Sequence, residues 1–141
     1  MCGFQTQVQQ TETQTIKYNQ LFYSSTNTED GGLDIATGVF TAPTSGTYTV
    51  TWSLTANAYQ GFPWIDVFLL HNGEKIVHHY HTEFGADDLG MIFRQKGTYL
   101  ELIFTGGRTI HLHLEPGDSL ELYCDNCKAG LYEVFFCVNL A

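Results

Sequence analysis

Apolar and polar residues alternate with a period of two along most of this chain, most cleanly between residues 37 and 54. Phe40 and Ala42 alternate with Val39 and Thr41, which predicts a short strand running into Pro43. Pro43, Ser45 and Gly46 break it, because proline has no amide for a ladder and glycine permits a tight turn. A second strand follows. Tyr48, Val50, Trp52 and Leu54 take one face, and Thr47, Thr49, Thr51 and Ser53 take the other. The apolar faces of both strands are thereby committed to a core.

Asn72-Gly73 lies between two strand-like runs and predicts a hairpin with a type I′ turn. A two-residue turn sets Leu69 opposite Ile76, Val67 opposite His78 and Ile65 opposite Tyr80 on the apolar side. Asp66 then faces His79 and Trp64 faces His81. On this register His78 is a core histidine, and His79 pairs with Asp66 rather than with a metal.

Residues 99–114 read as a long strand with a bulge at Gly106-Gly107. Ile110, Leu112 and Leu114 face inward there, which turns His111 and His113 outward. Residues 120–124 and 131–140 are expected to pair as the last hairpin. Residues 4–15 form a Gln/Thr-rich strand with Val8 as its interior apolar anchor, suited to an edge or a wet interface, and 16–23 form a second short strand. Residues 24–32, 57–64, 82–96 and 125–130 are left as loops. No helix longer than a turn is predicted.

A length of 141 residues predicts one domain, spanning 1–141, with enough chain to bury a core. Charged residues make up only 15%, and the net charge of −9 argues against nucleic acid or an anionic membrane as a partner. The longest uncharged run, residues 35–65, is broken by Gly and Pro and rich in Thr, so no membrane insertion is expected. No leader peptide is visible after Met1. Four cysteines in an acidic β-rich chain nevertheless favour a secreted, extracellular protein whose mature form carries a start Met. No N-x-Ser/Thr acceptor is present for glycosylation.

Six histidines raise the question of a metal. His111-Leu112-His113 with Glu115 is faintly similar to a cupin, but the glutamate follows too closely and a second histidine block is missing. A cupin-like metalloenzyme is therefore a weak third reading, and the metal status stays open. Cys124-Asp125-Asn126-Cys127 has CxxC spacing without a second CxxC or a following helix, and reads as a disulfide staple within a loop. No nucleophile elbow and no phosphate-cradling glycine loop occurs. No enzyme activity is predicted, and no cofactor is implied; calcium is left open.

The run TGVFTAPTSGTY at 37–48 resembles the signature of the complement C1q globular-head (gC1q) domain, in the C1q/TNF superfamily. Val67 to Gly73 (VFLLHNG), Leu114 to Leu120 (LEPGDSL) and Val134 to Val138 (VFFCV) are similar to further motifs of that family, in the same order. Cys137 stands where the family has a glycine. The resemblance implies an all-β, ten-stranded jelly-roll sandwich that assembles as a homotrimer, often on a collagen stalk. No Gly-X-Y repeat is present here, so the globular head stands alone. It also implies that first and last strands are neighbours, which brings Cys2 toward Cys137 as a second disulfide.

What the resemblance implies about function is a secreted recognition protein. A C1q-domain lectin, of the innate-immune or egg-fluid type, binding glycans or glycoproteins, is the favoured form. A protein-binding ligand or structural trimerisation module is the alternative. The candidate ligand-binding residues come from loops expected at one end of the sandwich. Tyr59 and Trp64 would stack on a sugar ring, and Asp87, Asp88, Asp125 and Asn126 would bond its hydroxyls. Arg94 would meet a carboxylate on an acidic sugar. The face bearing Thr47, Thr49, Thr51, His111 and His113 is the expected trimer interface, because it lacks the lysines of a solvated strand.

Overall fold

The computed structural model describes residues 2–5, 14–23, 32–59, 65–82, 92–96, 99–126 and 131–141. Among them are twelve strand segments and no helix. The first five are short: β1 (Cys2–Gln5), β2 (Gln14–Thr15), β3 (Gln20–Tyr23), β4 (Gly32–Asp34) and β5 (Val39–Thr41). The rest carry the sandwich: β6 (Gly46–Tyr59), β7 (Ile65–His71), β8 (Glu74–Thr82), β9 (Ile92–Lys96), β10 (Tyr99–Leu114), β11 (Ser119–Asn126) and β12 (Leu131–Leu140). The first sheet has the order β3-β1-β12-β6-β10-β9 and the second β4-β5-β11-β7-β8, with β2 also paired to β11. The ten strands expected are not reproduced: five short segments, β1 to β5, stand in the described N-terminal part of the chain.

The core lies where the inward faces of the sheets meet. Tyr48, Val50, Trp52 and Leu54 of β6 are 2% exposed or less, as their alternation requires. Val67 and Leu69 of β7, Leu120, Leu122 and Cys124 of β11, and Val134, Phe136 and Val138 of β12 complete it. Each fully buried large side chain contributes about 1.5–3 kcal/mol relative to exposure, so these alternating positions decide the fold. Ile16 precedes β3 without being in a strand; it is buried, and its amide donates to the Leu122 carbonyl at 2.8 Å.

The β7–β8 hairpin corrects the expected register. The turn itself is as predicted: His71 pairs with Glu74, and Asn72 and Gly73 have φ of 51° and 82°, both positive as a type I′ turn needs. The register then shifts twice, so that Leu69 pairs with Val77, Phe68 with His78, Val67 with Tyr80 and Asp66 with His81. Ile76 and His79 are the two residues left over, as bulges. β8 is an edge strand, where a bulge disturbs a ladder on one side only. Ile76 is consequently 40% exposed, and His78 lies on the outer face, not in the core.

Three further expectations change. β10 runs against β6 from Glu101↔Tyr59 to Leu114↔Gly46 without a shift, so Gly106-Gly107 is no bulge. A Cβ on Gly107 would stand 3.0 Å from the Trp52 carbonyl oxygen, so its glycine serves close approach of two strands. The bulge occurs instead on β12, between Tyr132 and Val134, where Glu133 has φ of 67°. β11 and β12 do not pair: the chain crosses from the second sheet to the first between them. Residues 92–96, expected in a loop, form β9 against β10.

Candidate ligand-binding surfaces

Burial of Val67 and Leu69 turns Asp66 and Phe68 of β7 to the outer face of the second sheet. The double bulge in β8 brings His78 beside them. Its Nε2 is 2.9 Å from Asp66 Oδ1, and its ring stacks on Phe68 with centroids 4.4 Å apart and planes 15° apart. The Nζ of Lys75 sits 4.1 Å from the Phe68 ring centroid and 3.3 Å from Asp125 Oδ2. The Lys75 and Asp125 side chains are 48% and 44% exposed, so water screens the pair and it adds little stability. The contacts set the Phe68 ring against the His78 imidazole and the Lys75 ammonium, each in turn held by a carboxylate.

Of the candidate residues read from the sequence, Asp125 belongs to this cluster and Asn126 is the backbone partner of Asp66. Tyr59 and Arg94 are each opposite Glu101, on the first sheet. Trp64, Asp87 and Asp88 lie outside the described residues, as does Cys127. β6 ends at Tyr59 and β7 begins at Ile65, β8 ends at Thr82 and β9 begins at Ile92, and β11 ends at Asn126 and β12 begins at Leu131. The five peptide steps from Asn126 to Leu131 span at most about 18 Å, so these strand ends share one end of the sandwich.

Asp66, Phe68, Lys75 and His78 were missed as a group by sequence reasoning. Their convergence depends on bulges, and the only sequence sign is the consecutive apolar pair Ile76-Val77, which interrupts the alternation of β8.

The outer face of the first sheet is different in character. Thr47, Thr49 and Thr51 of β6 are opposite His113, His111 and Thr109 of β10. The Thr51 and Thr109 hydroxyls are 3.1 Å apart, and Thr49 Oγ1 is 3.1 Å from His111 Nδ1. His113 Nε2 is 2.7 Å from Glu115 Oε1. That bond, with one from Ser45, holds the Glu115 carboxyl below its ordinary range. Cys137 and Asn139 of β12 extend the face beyond Thr51 and Thr49.

Cys124 and Cys137 are both disulfide-bonded. Cys124 is fully buried between the sheets, whereas Cys137 sits between the inward-facing Phe136 and Val138 and so points outward. Cys2 is directly opposite Cys137 in the β1–β12 ladder.

Among the described residues no three His, Cys, Asp or Glu side chains converge as a metal site. His111 and His113 are engaged by Thr49 and Glu115 rather than by one another. No helix in the described residues is long and apolar enough to cross a membrane.

Two antiparallel sheets with this order and these inward faces define a jelly-roll β-sandwich of the C1q/TNF type. Among solved structures, the globular domain of zebrafish complement 1qA protein aligns with 99% of this chain and 94% of its own, at TM-score 0.61 and 18% identity. GITRL of the pika aligns with 79% of this chain and 82% of its own, at TM-score 0.52 and 16% identity. At such identities the likeness is one of fold. No family model matches the chain. No curated protein matches it.

Proposed function

We propose that this chain is a single-domain, secreted, non-enzymatic recognition module that binds carbohydrate and assembles as a homotrimer. The observation that carries the sugar reading is the outer cluster of Asp66, Phe68, His78, Lys75 and Asp125. The exposed His78 ring, stacked on Phe68, offers a flat surface in a cluster whose carboxylates, Asp66 and Asp125, are acceptors for hydroxyl groups. Tyr59, Trp64, Asp87, Asp88, Arg94 and Asn126 are the further candidates in this reading. Each site would be weak alone, and three copies on one assembly would supply avidity. The assembly interface in this reading is the Thr47/Thr49/Thr51–His111/His113 face.

A glycan array read with and without chelator, followed by hapten-inhibited binding, tests the reading. Phe68→Ala and the double variant Asp125→Ala/Asn126→Ala should each weaken binding at least tenfold with the assembly intact. No glycan bound by the wild type would overturn it. The alternative, a protein-binding ligand, is favoured by the likeness to GITRL. It predicts capture of a cell-surface protein that survives removal of its glycans.

A further inference from the structure

His111 and His113 are two residues apart on β10, so both side chains leave the same face of the sheet, about 7 Å apart at their origins. Both are exposed. Each has one ring nitrogen held by a neighbour. Thr49 Oγ1, 3.1 Å from His111 Nδ1, accepts that nitrogen's proton when Nε2 carries the lone pair. Glu115 Oε1, 2.7 Å from His113 Nε2, accepts the proton there and leaves the lone pair on Nδ1. A hydroxyl or carboxylate fixing the far nitrogen is the arrangement that sets the tautomer and orients an imidazole for a metal.

Two imidazoles do not complete a site. Tetrahedral zinc needs four ligands at about 2.0–2.1 Å for nitrogen, and no third His, Cys, Asp or Glu joins the pair among the described residues of one chain. The face carrying them is the one read above as the self-association surface of a homotrimer, where a pair lying at the threefold axis would meet the same pair from the other copies. We propose that His111 and His113 are one copy's share of a divalent metal site that closes only between copies of this chain. Nitrogen donors suit Zn2+, Ni2+ or Cu2+ over Ca2+ or Mg2+. The inference rests on the self-association reading of this face, and it adds a ligand that would make the assembly metal-dependent.

The test is sedimentation of the whole chain in chelator, in Zn2+ and in Ca2+, together with calorimetric titration of Zn2+. Zn2+ should shift the protein to the larger species, chelator should reverse the shift, and Ca2+ should do neither. His111→Ala and His113→Ala should each lower Zn2+ affinity at least tenfold, with unchanged far-UV circular dichroism. Thr49→Val keeps both imidazoles but removes the hydroxyl, and should weaken Zn2+ binding by about 10- to 100-fold. Zn2+ bound equally by wild type and the His111→Ala/His113→Ala double variant would overturn the site. So would Zn2+ bound by a protein that stays monomeric. An assembly that persists in chelator and ignores Zn2+ would overturn the metal site while leaving self-association standing. A monomer under every condition, without Zn2+ binding, would overturn both.

Discussion

The side chain of Asn72 bridges the two residues Asp118 and Ser119: its Nδ2 donates to Asp118 Oδ1 at 3.1 Å, and its Oδ1 accepts the Ser119 amide at 2.8 Å. The turn of β7–β8 and the turn before β11 are thereby joined. Asp118 Oδ2 accepts the Glu115 amide at 2.9 Å and stands 3.4 Å from His71 Nε2.

The Glu115 amide, then Asn72, hold the Asp118 carboxyl below its ordinary range. A carboxyl lowered in the folded state stabilises above its unfolded value, and that contribution is lost as pH falls through the folded one. The melting temperature should therefore drop as pH falls below about 4. Asp118→Asn replaces an acceptor with a donor facing amides, so it should lower the midpoint by several degrees at pH 7 and flatten the acid slope. Thermal melts from pH 3 to 7 check this; an unchanged midpoint and slope would refute it.

Gly38 packs against the backbone of Ile16. It has φ of 79°, and a Cβ there would lie 1.9 Å from the Ile16 carbonyl oxygen. Backbone cannot yield as a flexible side chain does. Gly38→Ala should cost about 3 kcal/mol or more, visible as a shifted denaturant midpoint or loss of soluble protein. Gly73→Ala, with open space around the Cβ and φ of 82°, pays only the turn strain and should fold.

Tyr18 stacks on Phe136 with centroids 5.9 Å apart, and its hydroxyl is buried without a hydrogen-bond partner among the described residues. Burial, then the nearby Glu121 charge, push its pKa well up, so it stays a neutral phenol. Tyr18→Phe keeps the stack and removes the orphan hydroxyl. It should be neutral or stabilising by about 1 kcal/mol, measured by urea unfolding; a clear loss would reveal a partner for the hydroxyl.

Non-reducing peptide mapping should yield Cys2–Cys137 and Cys124–Cys127. The motivation is the register of Cys2 on Cys137, with Cys124 buried on the other sheet and Cys137 turned outward. A Cys124–Cys137 peptide would overturn the pairing.

Alternation by itself determined the core faces of the strands that run without a bulge. Tyr48, Val50, Trp52 and Leu54 are buried as read, and His111 and His113 are outward, because strand periodicity is a local property of the chain. The Asn72-Gly73 turn was legible for the same reason: it needs two residues that tolerate positive φ. Tertiary structure decided what depends on distant partners. β11 and β12 look like a hairpin in sequence, yet they join different sheets: β11 pairs with β7 and β12 with β6, partners that lie far away in the chain. The bulges at Ile76 and His79 likewise follow from β8 lying at an edge, a position that no local pattern encodes. Those bulges put His78 on Phe68 and Asp66, so the surface cluster exists only once the sheet order is set.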